Sequence, residues 1–199
     1  MTKDRLEAFS DGVIAILITI MVLELRAPHS PDLNSLLEVA PPFLSYVLSF
    51  TYIAIYWNNH HHMFQAVERV DGTILWANNL LLFCLSLVPF STDWMGENHF
   101  APVPVAIYGV TLLLPALAYY LVARSIIRLD GPDSALARAL GQDWKGKLSP
   151  LVYIAGIGLA LVNPVISEVL YVTVALIWLV PDRRIERHLQ SEPVEDRPE

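Results

Sequence analysis

The amino-acid sequence predicts an all-α, polytopic membrane protein with six transmembrane helices. Hydrophobic residues make up 54% of its 199 residues and charged residues only 17%, below the quarter that is typical of soluble domains. Apolar runs recur along the chain, most of them close to the roughly 20 residues that cross a bilayer. The basic residues gather in alternate predicted loops, as they do in multi-span membrane proteins.

The first predicted span covers residues 5–25 and is ended by Pro28 and the polar stretch after it. Every residue from 12 to 23 is apolar except Thr19. Because all faces of this helix are apolar, we expect it to be buried all round, in lipid and in protein. Helical periodicity places three bulky aliphatic residues on one face with Thr19 beside them: Ile16, Ile20 and Leu23.

The second predicted span covers about 41–62 and begins with two prolines, whose missing N–H groups do no harm in a first turn. The third covers about 72–90 and is predicted to end near Pro89. The fourth covers about 102–127, with Pro115 inside it as a predicted kink.

The fifth and sixth spans, about 148–161 and 164–180, are predicted as a hairpin of two short helices, because fusing them would place Pro164 in the middle of a helix. Residues 132–144 are predicted to form a short surface helix. The sequence thus predicts one membrane domain over 1–189 and a charged, disordered tail over 190–199.

The basic residues predict the orientation, because they favour the cytoplasmic side. Of the 13 lysines and arginines only Arg26 falls on the other side, so 12 share one side. An even number of spans puts both termini on that basic side. We therefore expect a multi-pass protein of the cell inner membrane or plasma membrane with both termini in the cytoplasm.

Asp11 is the polar residue of greatest interest, since a carboxylate in the first third of a span is costly without a partner. It is either a hydrated helix end or part of an ion pair inside the bundle. A polar cluster that includes His60 and His61 ends the second span at the same predicted depth. An imidazole there would offset the desolvation of Asp11. Arg5 lies on roughly the opposite side of the first helix and is predicted to bracket the same partner.

The sequence favours neither a metal site nor an enzyme. Adjacent histidines on a helix diverge by about 100°, whereas metal-binding pairs are spaced three or four residues apart. Residues 60–62 are therefore predicted to make hydrogen bonds and packing contacts. The chain has no phosphate-binding loop and no nucleophile–base arrangement. We expect no cofactor, no metal and no nucleic-acid partner.

Several motifs resemble those of the bacterial relatives of the endolysosomal potassium channel, the transmembrane protein 175 family. The first span opens with an Arg-x-x-x-Phe-Ser-Asp motif, and the second and third spans carry further similar segments. The residues are Arg5, Phe9, Ser10 and Asp11, followed by Gly-Val-Ile-Ala-Ile; then Trp57, His60, His61 and Phe64; then Pro89-Phe90-Ser91-Thr92.

This resemblance implies a homotetramer in which the first spans of four subunits line a central pathway for K⁺ and other monovalent cations. The family's aliphatic constriction maps onto Ile16, and further rings map onto Ile20 and Leu23. A threonine associated with potassium preference maps onto Thr19. Animal members carry a serine where this chain has Ala15, so the resemblance implies weak to moderate selectivity for K⁺ over Na⁺.

The resemblance also implies a polar packing network around the first span, mapping onto Arg5, Ser10, Asp11, Trp57 and either His60 or His61. Two alternatives to a channel stay open. One is a proton-coupled transporter that uses Asp11 and the second-span histidines, although its usual pointer, paired broken helices in repeated halves, is absent. The other is a structural membrane protein whose polar residues only hold helices together. The face of Ile16, Ile20 and Leu23 is apolar and favours a constriction that gates by dewetting.

Overall fold

A computed structural model describes residues 2–28, 30–67, 69–140 and 144–179, which contain nine α-helices, one 3₁₀ helix and no strand. The all-α prediction is confirmed for these residues. The predicted tail, 190–199, lies outside them. The helices are α1 (Lys3–Met21, continued by the 3₁₀ helix Val22–Glu24), α2 (Ser35–Glu38), α3 (Ala40–Gln65), α4 (Gly72–Ser86), α5 (Val88–Glu97), α6 (Pro102–Asp130), α7 (Ala135–Leu140), α8 (Trp144–Ala160) and α9 (Pro164–Leu179).

Three stretches of the described chain combine the length and apolar composition needed to cross a membrane. They are Lys3–Glu24, Gly72–Glu97 and Pro102–Asp130. Helix α9 is apolar but shorter, and α3 is 26 residues long but carries the polar cluster near its end. The six predicted spans fall on α1, α3, α4, α6, α8 and α9, and three of them meet the length and apolar composition of a span within the described residues.

The predicted end of the third span was wrong. Helix α4 ends at Ser86, and after a break at the single residue Leu87 a further helix, α5, runs to Glu97, well past Pro89. Proline is tolerated there because it occupies the first turn of α5, where a backbone N–H has no partner within the helix in any case. The described part of the predicted surface helix is α7, Ala135–Leu140, and Trp144, its last predicted residue, belongs to α8.

One end of the bundle gathers the start of α1 and the ends of α3 and α6. Lys3 Nζ donates to the carbonyl oxygen of Gln65 at 3.4 Å. Arg69 Nη2 donates to the carbonyl oxygen of Leu129 at 3.5 Å. We call this the basic end, because its lysine and arginine side chains are among those that the sequence predicts to face the cytoplasm.

Helix α1 packs on α3, α4 and α5 through one face only. The buried residues of that face follow one another at intervals of three or four, which is the spacing of a single helical stripe. They are Leu6, Ser10, Ile14, Leu17 and Met21. The four apolar residues of this face join the first of two apolar cores, which also contains residues of α3, α4 and α6.

The second core joins α3, α5, α6, α8 and α9 and includes the fully buried Tyr171. A Cβ atom at Gly109 would lie 2.0 Å from the Tyr171 hydroxyl oxygen, and one at Gly156 would lie 2.5 Å from its ring. Only glycine therefore fits where α6 and α8 approach this ring. Helices α8 and α9 pack on α6, and α9 also packs on α3, whereas the described contacts of α1 are with α3, α4 and α5.

Candidate pore-lining helix and its polar contacts

The face of α1 that the bundle does not cover is strongly apolar. Ile16 is 62% exposed, Ile20 44% and Leu23 75%. Two residues before Ile16, Ile14 is 1% exposed and packed in the core. The three residues that the periodicity grouped together therefore share the surface that α1 leaves free within one chain. A continuous apolar surface of this kind marks a contact with lipid or with another protein.

Thr19 lies on the same exposed side of α1. Its hydroxyl donates to the helix backbone, with the carbonyl oxygens of Ala15 at 3.0 Å and Ile16 at 3.1 Å. Because the proton is directed back to the helix, the lone pairs of the hydroxyl oxygen are left to receive water or a cation. Thr19 thus adds one polar oxygen to an otherwise aliphatic stripe.

A buried hydrogen-bonded chain holds α1 against α3 and α4. Ser10 Oγ donates to the carbonyl oxygen of Leu6 at 2.9 Å, so it must accept its second bond, from Asn78 Nδ2 at 2.9 Å. The Oδ1 atom of Asn78 therefore accepts from His60 Nε2 at 2.8 Å. Ser10, Asn78 and His60 are all buried. This Ser10–Asn78–His60 chain satisfies the polar groups that three helices bury at one crossing.

A second polar contact joins α1 to α3 at the surface. Trp57 Nε1 donates to Asp11 Oδ1 at 2.9 Å. The ring of His61 stacks on that of Trp57, with centroids 6.3 Å apart and an angle of 19° between the planes. His61 Nε2 also lies 2.9 Å from the side-chain nitrogen of Gln65. Asp11 is thus held by an indole N–H rather than by the imidazole that the sequence suggested.

The residues predicted as one polar network therefore fall into two groups within a single chain. Ser10 and His60 belong to the buried chain, and Asp11, Trp57 and His61 form the surface group. Arg5 is exposed and has neither a hydrogen bond nor an ion pair with another described residue. Across the described ranges no three His, Cys, Asp or Glu side chains come together as metal ligands would.

Asparagine side chains in membrane helices commonly hydrogen-bond across helices, and α4 carries two in succession, Asn78 and Asn79. The structure gives this role to Asn78, while Asn79 is exposed. Adjacent residues on a helix point about 100° apart, so only one of the pair can face the crossing of α1 and α3. The partners of Asn78 could not be read from the sequence, because they lie on other helices.

Residues 5–89 match the model of the family described as the endosomal/lysosomal potassium channel TMEM175. A potassium channel of Chryseobacterium sp. (strain P1-3) is 52% identical over 191 residues, which cover 96% of this chain and 100% of that protein. The endosomal/lysosomal proton channel TMEM175 of Gallus gallus is 32% identical over 109 residues, which cover 49% of this chain and 22% of that protein.

The fold is similar to a solved structure as well. The crystal structure of a lysosomal potassium-selective channel TMEM175 homolog from Chamaesiphon minutus matches with a TM-score of 0.78 and 28% sequence identity. The match covers 90% of this chain and 97% of that one. Family model, full-length relative and fold agree with one another, and this chain belongs to the TMEM175 family.

Proposed function

We propose that this chain is the subunit of a potassium-permeable cation channel whose narrowest point is a ring of Ile16 side chains. The observation that carries the proposal is the exposed aliphatic stripe of α1, formed by Ile16, Ile20 and Leu23, in a helix that packs on the bundle through a different face. A relative that matches along its full length is named a potassium channel. The family is one of channels, so the chain is not an enzyme.

The proposed assembly is a homotetramer with α1 from each subunit at the centre. One aliphatic stripe cannot enclose a path, but a ring of helices can. Helices α3, α4–α5, α6, α8 and α9 would supply the other five spans around this ring. Both termini would lie in the cytoplasm, because the basic side chains gather at the end where α1 begins.

The proposed constriction works by controlling hydration. Hydrocarbon side chains offer a permeating cation nothing that replaces its water shell, so the barrier is partial dehydration and dewetting. In the proposed tetramer, Thr19 contributes four hydroxyl oxygens to the path, one from each subunit, and these would favour K⁺ over Na⁺. Ala15 adds none, and we therefore expect the preference for K⁺ to be weak to moderate.

The proposal is tested by ion flux in liposomes that contain the purified protein. A K⁺ gradient is expected to drive K⁺ flux without any proton gradient, and a Na⁺ gradient is expected to drive a smaller flux. The alternative is a proton-coupled transporter that uses Asp11 and His60 or His61, and the avian relative is named a proton channel. Flux that requires a proton gradient and is lost in Asp11→Asn would favour that alternative.

The tetramer is tested by cross-linking. Cys84 is buried and is the only cysteine in the sequence, so Cys84→Ser gives a cysteine-free background. Ile16→Cys in that background is expected to form disulfide-linked dimers of neighbouring subunits on mild oxidation. Ile154→Cys on α8, which is also exposed, is the matched control. Equal cross-linking at the two positions would contradict a central α1.

A further inference from the structure

A cavity of about 410 Å³ opens between α3, α6, α8 and α9, and none of the proposed pore residues lines it. Its size falls in the range of about 300–1,000 Å³ that small-molecule sites occupy. The wall is mainly aromatic and aliphatic. Its larger side chains are Tyr52, Ile55, Tyr56, Tyr119, Tyr153 and Trp178.

Two polar groups of the wall are hydrogen-bonded within the protein, and this part of the wall is therefore preformed. Tyr119 donates its hydroxyl proton to the carbonyl oxygen of Asn59 at 3.1 Å. Trp178 Nε1 donates to Ser149 Oγ at 2.9 Å. The rings of Tyr56 and Tyr119 meet edge to face with centroids 6.2 Å apart. These contacts hold an amphipathic surface in place before any ligand arrives.

Two basic side chains, Arg124 and Lys147, also line the cavity, and both are exposed. The guanidinium of Arg124 lies 5.6 Å from the ring centroid of Tyr120. No Asp or Glu is among the described residues that line the cavity. The cavity thus joins a positively charged mouth to an apolar interior.

The depth of Arg124 matches the level of lipid headgroups. It lies 124 − 102 = 22 residues beyond the first residue of α6, and a rise of 1.5 Å per residue places it about 33 Å along the helix. That distance is close to the thickness of the hydrocarbon core, about 30 Å. Lys147 lies in the first turn of α8, which begins at the basic end.

No residue of α1 lines the cavity. Its lining residues come from α3, α6, α7, α8 and α9 and from the loop before α7, whereas α1 packs mainly on α3, α4 and α5. In the proposed tetramer centred on α1, the cavity is therefore separate from the central path, and the inference below rests on that arrangement with the mouth of the cavity open to the bilayer. A ligand can reach it from the membrane without entering the pore.

We propose that this cavity binds an anionic phospholipid. Arg124 and Lys147 hold the headgroup phosphate, and the tyrosine and aliphatic wall covers the glycerol and the first carbons of an acyl chain. Charge selects the occupant, because a zwitterionic lipid carries a second, cationic group that would meet the same two basic side chains. Basic pockets between membrane helices are known to take anionic headgroups.

The test measures lipid binding to the purified full-length protein by native mass spectrometry, with phosphatidylglycerol and phosphatidylcholine as probes. Wild type is expected to retain phosphatidylglycerol in preference to phosphatidylcholine. Each basic side chain at an anionic surface is worth about fivefold in affinity, so Arg124→Gln/Lys147→Gln is expected to lose about thirtyfold. Arg128→Gln/Arg138→Gln removes the same charge from the same end, outside the cavity, and is expected to bind as wild type does.

Ala116→Phe supplies a second variant, because Ala116 lines the cavity and a phenylalanine there fills it without changing any charge. It is expected to weaken phosphatidylglycerol retention too, and it decides the question alone if the charge variant does not fold. Equal loss in the two charge variants, or unchanged retention in Ala116→Phe, overturns the site. Competition by inorganic phosphate or glycerol phosphate as strong as that by the lipid would show a site for free anions and would overturn the lipid assignment.

Discussion

The indole nitrogen of Trp57 donates a 2.9 Å hydrogen bond to the carboxylate of Asp11, joining α3 to α1 near the start of the helix that we assign to the pore. The buried bond from Asn78 to Ser10 lies one residue away on α1. Polar contacts thus fix α1 near its start, and apolar packing at Met21 fixes it near its end. A helix held in this way presents Ile16 and Ile20 in a defined direction.

Trp57→Phe is expected to lower the free energy of unfolding by about 1–2 kcal/mol, because it removes a hydrogen bond to a charged group. Asp11→Asn is expected to reduce the yield of assembled protein more than it changes ion selectivity. Thermal unfolding and size-exclusion chromatography in detergent measure the two effects. Trp76→Phe is the control, since Trp76 is exposed on α4 and has no hydrogen bond to a described residue. If the two tryptophan variants lost the same free energy of unfolding, the loss could not be assigned to the Asp11–Trp57 hydrogen bond.

Asn78→Leu is expected to cost about 2–3 kcal/mol of stability, because it leaves the buried N–H of His60 without an acceptor. Asn79→Leu, at the adjacent exposed position, is expected to change stability by less than about 0.5 kcal/mol. Adding His60→Phe to Asn78→Leu removes both partners and is expected to recover part of the loss. Chemical unfolding of the three variants measures this, and no recovery in the double variant would argue against the proposed chain.

Gly109→Ala is expected to destabilise the protein by about 3 kcal/mol or more, since its Cβ would lie 2.0 Å from the Tyr171 hydroxyl oxygen and 2.7 Å from the adjoining ring carbon. Gly158→Ala is the matched control on α8, because nothing lies within 4 Å of a Cβ atom there. Thermal unfolding of the two variants checks the packing of α6, α8 and α9. A stable Gly109→Ala protein would mean that Tyr171 occupies another position.

Sequence patterns predicted the helices well because apolar runs and helical period are local properties. The exposure of Ile16, Ile20 and Leu23 and the burial of Ile14 follow the periodicity of α1. The end of the third span was missed because Pro89 can either end a helix or begin one. Leu87 lies at the junction, and nothing local decides that α5 continues the path of α4.

Contacts between distant helices were less predictable. The sequence pointed to histidines as partners of Asp11, yet the direction of each side chain on α3 decides that Trp57 reaches it. Gly109, Gly156 and Tyr171 gave no signal, because only the fold brings them together. The cavity beside Arg124 likewise needs four helices before it exists.

Thr19→Ala is expected to change the ratio of K⁺ to Na⁺ flux more than the total flux, because it removes a hydroxyl oxygen from the proposed path without widening the constriction. Thr173→Ala on α9 is the matched control. Thr173 is also exposed, and its hydroxyl also donates to its own helix backbone, at 2.6 Å from the oxygen of Val169. Liposome flux under bi-ionic conditions measures the ratio. If both variants changed the ratio of K⁺ to Na⁺ flux by a similar amount, the prediction that Thr19 contributes to selectivity would be wrong.

The ring of Ile16 side chains is tested most directly by comparing K⁺ flux through Ile16→Asn and Ile154→Asn in liposomes. Ile16 and Ile154 are similarly exposed within one chain, at 62% and 57%, but Ile154 lies on α8. Ile16→Asn is expected to wet the constriction, raise K⁺ flux and reduce the preference for K⁺ over Na⁺, while Ile154→Asn leaves both unchanged. An Ile16→Asn protein with wild-type flux, or an equal rise in Ile154→Asn, would contradict the assignment of α1 as the pore-lining helix.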